Sequence, residues 1–251
     1  MNPCLLIPIF DHKDTIRRVV QSVEALGLPC LVINDGSGLG TREVLDAIAK
    51  EFDWVEVQHH PVNRGKGVAL RHGYRLAAAR GFTHVLQFDA DGQHDTRDAR
   101  RFLEAARRDP EAMVLGQPVF DASAPRSRIW SRKLSVGLVW LATLSRRVRD
   151  PLCGFRCLPL APTLHLVEQT SMGNRMDFDP ELAVRLVWEG TRVVTLSTRV
   201  RYFADGLSHF DVVWDDLRLA SLYLRLTLRM LVSLPGVLVR RLRGRDSWER
   251  A

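Results

Sequence analysis

The first 120 residues of this chain alternate between two patterns, and that alternation restricts the fold more than any single motif does. Short β-like runs, "CLLIPIF", "CLVIND", "WVEVQ", "THVLQFD" and "AMVLGQ", are separated by helical patterns near 14–26, 41–51, 67–80 and 96–108. Such repeats build βαβ crossovers and a mostly parallel sheet flanked by helices, so the expected class is α/β. Ligands of these sheets bind beyond the carboxyl ends of the strands. The polar, Gly-rich segments "NDGSG" (34–38), "NRGKG" (63–67) and "DADGQ" (89–93) fall at or just past those ends. They are expected to converge on one crevice.

Past residue 120 the pattern changes. A basic helical stretch (126–147) leads to a short "CGFRCL" strand, a helix opening at "FDPELAVRL", a strand "TRVVTLS" and a Leu/Arg-rich end. This organisation predicts a large domain over 1–210 and an amphipathic, basic helical segment over 211–251. The longest apolar run, "LSVGLVWLATL" (134–144), is too short to cross a bilayer. "MNPCLLIPIF" lacks the basic region and cleavage site of a signal peptide, so a cytoplasmic protein is expected. Cys4, Cys30, Cys153 and Cys157 form no CxxC pair and read as reduced, mostly buried thiols.

The net charge of +7 is unevenly spread: residues 121–157 hold eight Arg/Lys against two Asp, and residues 211–251 hold eight Arg against five Asp/Glu. That bias points to an anionic partner on one side. Nucleic acid is not expected, because the basic stretches interleave with Leu and Val rather than with stacking aromatics.

Two Gly-rich segments fail as nucleotide fingerprints. "GSGLG" (36–40) would need glycine at Thr41, and "NRGKGVAL" lacks P-loop spacing. The stretch "FDADGQHD" (88–95) is more specific. Asp89 and Asp91 stand at i and i+2 of an extended segment, so both carboxylates can face one hard cation, with Gln93 adding a neutral oxygen. The alternative is a solvated turn capped by Asp95 ahead of the next helix.

The ordered set "IPIFDHKDTI", "VINDGSG", "NRGKGVALRHGY", "FDADGQHD", "DPLCGFR" and "MDFDPELAVRLVWEG" resembles family 2 glycosyltransferases of the GT-A fold, in particular the polyprenyl-phosphate sugar synthase branch and related bacterial lipid-associated enzymes. The likeness runs over roughly residues 4–210. It implies a nucleotide-sugar donor and a divalent metal, Mg2+ or Mn2+, held by Asp89, Asp91 and Gln93. Pro8 and Phe10 correspond to positions lining the base, Asp35 to a nucleoside-binding aspartate (Asn34 replaces the acid before it), and Asn63 and Lys66 to the donor site. Arg156 and His209 correspond to groups that hold the leaving diphosphate. For Pro8 and Phe10 the alternative is strand-end packing, and for Arg156 and His209 ordinary ion pairing or capping.

Asp179 aligns with the catalytic base of many family 2 enzymes. A hydroxyl acceptor needs a base and a phosphate acceptor does not, so Asp179 favours a hydroxyl on a lipid or lipid-linked acceptor. The alternative is a helix N-terminal charge, with Pro180 at the first helical position; Glu181 either orients the site or faces solvent. "GQP" (116–118) and "GLSH" (206–209) depart from the phosphate-acceptor pattern. The expectation is an inverting, metal-dependent hexosyltransferase, peripheral on the inner face of the cytoplasmic membrane. Arg218, Arg225 and Arg229 share nearly one helical face among Leu, Val and Met, which suits a membrane interface, a docked helix or a dimer contact. A polyprenyl-phosphate sugar synthase, a non-catalytic nucleotide- or lipid-binding module, and a nucleotidyltransferase are the competing readings; the last lacks an N-terminal Gly-rich basic loop.

Overall fold

The computed structural model describes residues 1–120, 126–201 and 218–231. Seven strands, β1 (Pro3–Ile9), β2 (Cys30–Asn34), β3 (Val55–His59), β4 (His84–Gln87), β5 (Met113–Phe120), β6 (Arg156–Pro159) and β7 (Val193–Val200), form one sheet in the order β3-β2-β1-β4-β6-β5-β7. The pairs β1–β2, β2–β3, β1–β4 and β5–β7 are parallel. Among the described strands only β6 runs against both of its neighbours. The expected α/β class and mostly parallel sheet are what the chain adopts.

The helices are α1 (Lys13–Val23), α2 (Leu39–Glu51), α3 (Lys66–Ala79), α4 (Ala99–Arg108), α5 (Arg126–Thr143), α6 (Leu160–Gln169) and α7 (Phe178–Trp188), with a further helix, α8, over 218–231. Alternation along β1 sorts them into two layers. Leu5, Ile7 and Ile9 pack with Ile16 of α1, Leu45 of α2 and Phe102 of α4. Cys4 and Leu6 face a second cluster with Leu70 of α3, Val139 of α5, Leu166 of α6, Leu182 of α7 and Leu222 of α8. A period of two in the strand thus fixes which helix covers which face.

Helix α6 has no counterpart in the sequence reading. Pro159 and Pro162 break its pattern, yet Pro162 lies in the first turn, where no intrahelical N–H bond is lost. Along α8, Leu219, Leu222, Tyr223, Leu226 and Met230 are buried, and the first four join the core cluster of α5 and α7, while Leu224, Leu228 and Leu231 are exposed. So the described part of the 211–251 segment packs on the large domain. The four cysteines are free and buried, and burial pushes the Cys4, Cys153 and Cys157 thiols up to about 12. They are unreactive at neutral pH.

Candidate active site at the strand ends

Three loops meet where the sequence places them. Asp35, one residue past β2, is 3% exposed and accepts hydrogen bonds from the backbone N–H of Arg64 and Gly65 (3.1 and 2.7 Å) and pairs with His60 Nδ1 at 3.0 Å. Its carboxylate therefore clasps the loop that opens α3. Gly65 has φ +102°, and a Cβ there would collide with the Asn174 carbonyl. Gly67 N donates to that carbonyl at 2.8 Å, so the 172–177 loop backs the start of α3. Asn34 keeps the neighbouring turn, accepting from Ser37 N at 3.0 Å and pairing with His59 Nδ1 at 2.8 Å. The amide replaces an acid without loss of the turn.

Lys66, the first residue of α3, is placed by that clasp. Its Nζ lies 2.5 Å from Asp89 Oδ1 and 2.9 Å from Asp179 Oδ2. One cation thus joins the end of β4 to the start of α7. Burial works against the ammonium, but Asp179 and Asp89 outweigh it and hold Lys66 charged. Burial likewise opposes the Asp89 carboxylate, and Lys66 and His94 overcome this and hold its carboxyl far below the usual range. Gly154 lies against the Asp89 carboxylate where any side chain would collide, so the "CGF" turn makes room for it.

Asp91 is different. Its Oδ1 accepts from Gln93 N at 2.9 Å, but burial and then the charge of Asp89 push its carboxyl up. The strand-end segment is fixed by Thr15 Oγ1, which donates to the Ala90 carbonyl at 2.6 Å, and by an antiparallel bridge of His94 with Val200. Among the described residues no group of three or more His, Cys, Asp or Glu could enclose a metal. The pair of carboxylates, with Asp91 costly to ionise beside Asp89, still fits a hard divalent cation that completes its shell from a bound ligand. Gln93 lies beside them, its backbone carbonyl taken by Arg201 N.

Asp179 is 5% exposed and fully engaged. It accepts from Gln87 Nε2 at 3.1 Å, and Arg156 Nη1 lies 3.4 Å from Oδ1. Gln87 in turn accepts from Tyr74 at 2.6 Å. Burial would raise the Asp179 carboxyl, yet Arg156 and Lys66 win and lower it. Arg156 is wholly buried and donates to the carbonyls of Pro151, Cys153 and Asp179. Its guanidinium faces these groups, which leaves little of it for a diphosphate. Glu181 does not face solvent: it is 2% exposed, binds Arg185 and accepts from Gly173 N at 3.0 Å. Pro180 is the third residue of α7, not its first.

Pro8 is buried within β1, paired to Ile33, while Phe10 is half-buried at the strand end. Asn63 is half-buried at the loop that passes Gly36. His209 lies outside the described residues. Sequence reasoning gave no role to His94, whose Nε2 is 3.6 Å from Asp89 and whose ring packs on Phe155, nor to Gln87 and Tyr74. Gln87, a polar residue inside an apolar strand, was the readable signal.

The model of the family described as glycosyl transferase family 2 matches residues 4–168. An undecaprenyl-phosphate mannosyltransferase of Micrococcus luteus is 28% identical over 205 residues, covering 77% of this chain and 81% of that protein. A dolichyl-phosphate β-glucosyltransferase of Trichomonas vaginalis is 31% identical over 160 residues, 61% of this chain but only 48% of that protein. Among solved structures, a mannosyltransferase of Pyrobaculum calidifontis in complex with GDP-Man and Mn2+ superposes with a TM-score of 0.57 at 14% identity, covering 99% of this chain and 81% of that one. At that identity the likeness concerns the fold.

Proposed function

The chain belongs to glycosyl transferase family 2, and from that premise we propose that it transfers a sugar from a nucleotide-sugar donor to the phosphate of a polyprenyl-type lipid, with inversion at the anomeric carbon. The observation that carries the choice of acceptor is the state of Asp179. A general base works best with a pKa near the operating pH. Asp179 is instead clamped between Lys66, Arg156 and Gln87 with its carboxyl lowered. A phosphate acceptor is already an anion and makes no demand on it. The relatives named for undecaprenyl-phosphate and dolichyl-phosphate transfer support the same reading.

In this reading Asp89, Asp91 and Gln93 hold Mg2+ or Mn2+, which when bound supplies Lewis-acid neutralisation of the diphosphate. Lys66 keeps Asp89 ionised and in place. Phe10 and Asn63 border the nucleoside, and Asp35 acts through the loop it clasps. Arg156 and Asp179 brace the "CGF" turn against α7, so the crevice is preorganised before the donor arrives. The hydroxyl acceptor, with Asp179 as base, keeps one observation in its favour: "GQP" stands at 116–118, with no arginine there for a lipid phosphate.

The acceptor face is assigned to a membrane surface. No described helix is long and apolar enough to cross a bilayer, but α5 and α8 carry exposed apolar side chains among basic ones. The deciding experiment incubates the protein with a panel of nucleotide sugars, Mn2+ or Mg2+, and either a polyprenyl phosphate or the matching free polyprenol. Sugar appearing on the phosphate supports the proposal. Sugar appearing only on the free alcohol would transfer the assignment to the hydroxyl reading.

A further inference from the structure

We infer that the cavity on the outer side of α3 is a binding site for a small phosphorylated molecule, separate from the donor's diphosphate site. The cavity holds about 430 Å3 and is lined by His60, Arg64, Arg71, His72, Arg75 and Asn174. That volume is in the range of small-molecule sites, roughly 300–1,000 Å3. Neither Asp89, Asp91 nor Lys66 lines it, and no carboxylate does.

Helical spacing gathers the charge. Arg75 lies one turn beyond both Arg71 (i+4) and His72 (i+3) on α3, and Arg64 enters from the loop before it. Arg71 and Arg75 at i and i+4 repel each other, an arrangement that weakens a helix. Burial, and then Arg75, lower the Arg71 guanidinium from its ordinary value; Asp177 and Glu181 act against this, and Arg64 adds a smaller repulsion. Asp177, which accepts from Arg175 N, and Glu181, which binds Arg185, offset part of this repulsion but do not line the cavity. Among the described residues no carboxylate pairs with Arg64 or Arg75. An anion in the cavity would relieve this repulsion.

Two of the groups are held ready. Arg71 donates to the carbonyls of Met172 and Gly173, both at 3.2 Å, and to Asn174, with the ring of Phe178 5.4 Å beneath. Its cation is fixed rather than swinging in solvent. The imidazoles are fixed by a relay. The Asp35 carboxylate can only accept, so His60 Nδ1 donates to it, and His60 Nε2 shares a hydrogen bond with His72 Nδ1 at 2.9 Å. The rings stack with centroids 5.2 Å apart. Forked guanidiniums around a concave wall match phosphoryl oxygens better than any neutral ligand.

The test uses the full chain in EDTA, with inorganic phosphate and pyrophosphate as probes and the ring signals of His60 and His72 followed by NMR, assigned with His72→Gln. Neither donor nor turnover is needed, so the outcome is independent of the glycosyltransferase reading. Saturable displacement of both rings by at least one probe, with a Kd of about 1 mM or tighter, is expected. Arg75→Gln, an exposed substitution, should weaken that binding by about tenfold, the scale of one hydrogen bond to a charged group, while leaving sugar transfer unchanged. Rings that do not respond, or a response untouched by Arg75→Gln, would overturn the site.

Discussion

Asp89 and Asp91 share a motif but not an environment, and the difference predicts opposite behaviour. Asp89 is matched by Lys66 and His94, whereas Asp91 meets burial and the charge of its neighbour. A carboxyl raised in the folded state contributes stability that is fully present below its unfolded value, about 3.9, and is lost as pH rises through the folded one. At neutral pH Asp91 is therefore a cost to the metal-free protein. Asp91→Asn should raise the metal-free melting temperature at pH 7 and lower sugar transfer by about 10²–10³, the scale of losing one electrostatic stabiliser. Thermal melts with and without Mn2+, beside a turnover assay, check both; a variant that melts lower and transfers normally would refute the metal assignment. Lys66 predicts the reverse sign. Lys66→Met leaves the buried Asp179 and the half-buried Asp89 without their shared cation, and should cost about 3–5 kcal/mol in urea unfolding. Because Asp89 and Asp179 are lowered in the fold, their stability is present above about pH 4 and lost as pH falls through the folded values. Acid unfolding of the wild type should begin there, and be blunted in Lys66→Met.

At the scale of elements, the alternation of short apolar runs and helical runs made β1 to β5 and α1 to α4 readable, because β1, β2 and β4 are buried on both faces and each of these helices on one. β6 was read from "CGFRCL", but its antiparallel course was not, since pairing direction leaves no local pattern. α6 was hidden by two prolines. The metal-type pair and Asp179 were legible as motifs, whereas the clamp on Asp179 was not: Lys66, Gln87 and Arg156 reach it from α3, β4 and β6, and only the folded sheet brings these together. Glu181 illustrates the same point. On α7 it binds Arg185 one turn on and holds Gly173 N, and the 173–174 turn backs the start of α3 where Lys66 sits. Glu181→Gln should therefore act at a distance. The buried pair it breaks costs about 3–5 kcal/mol, and the amides of Gly67 and Val68 should lose hydrogen-exchange protection beyond that global change. Protection reduced uniformly across the sheet would place Glu181 in general stability and not in the support of Lys66.

For the whole molecule the question is why exposed leucines persist on two adjacent helices. Trp130 and Leu134 of α5 are 72% and 66% exposed, and Leu224, Leu228 and Leu231 of α8 are 62%, 53% and 55% exposed. The two helices share one core cluster, with Tyr223 of α8 beside Ser135 of α5. Lys133, Arg225 and Arg229 are exposed among these side chains, and the Lys133 ammonium lies 5.5 Å from the Trp130 ring. Single exposed leucines need no explanation, but a group of them set in cations matches an anionic lipid surface: apolar groups enter the acyl boundary while each Lys or Arg near the headgroups adds about 1 kcal/mol. The full chain should therefore sediment with vesicles containing anionic lipid, and less so as salt rises and screens the charges. Replacing Trp130, Leu224 and Leu228 together by serine removes apolar area worth about 1.5–3 kcal/mol per side chain when fully buried, so vesicle binding should fall by at least about tenfold. None of the three contributes to the buried core, so the melting temperature and donor binding in solution should hold. Transfer to acceptor embedded in vesicles should drop in step with sedimentation, and transfer to a short-chain, water-soluble acceptor should not. Vesicle binding that survives the triple substitution, or that ignores salt, would leave these helices as a surface for something other than lipid.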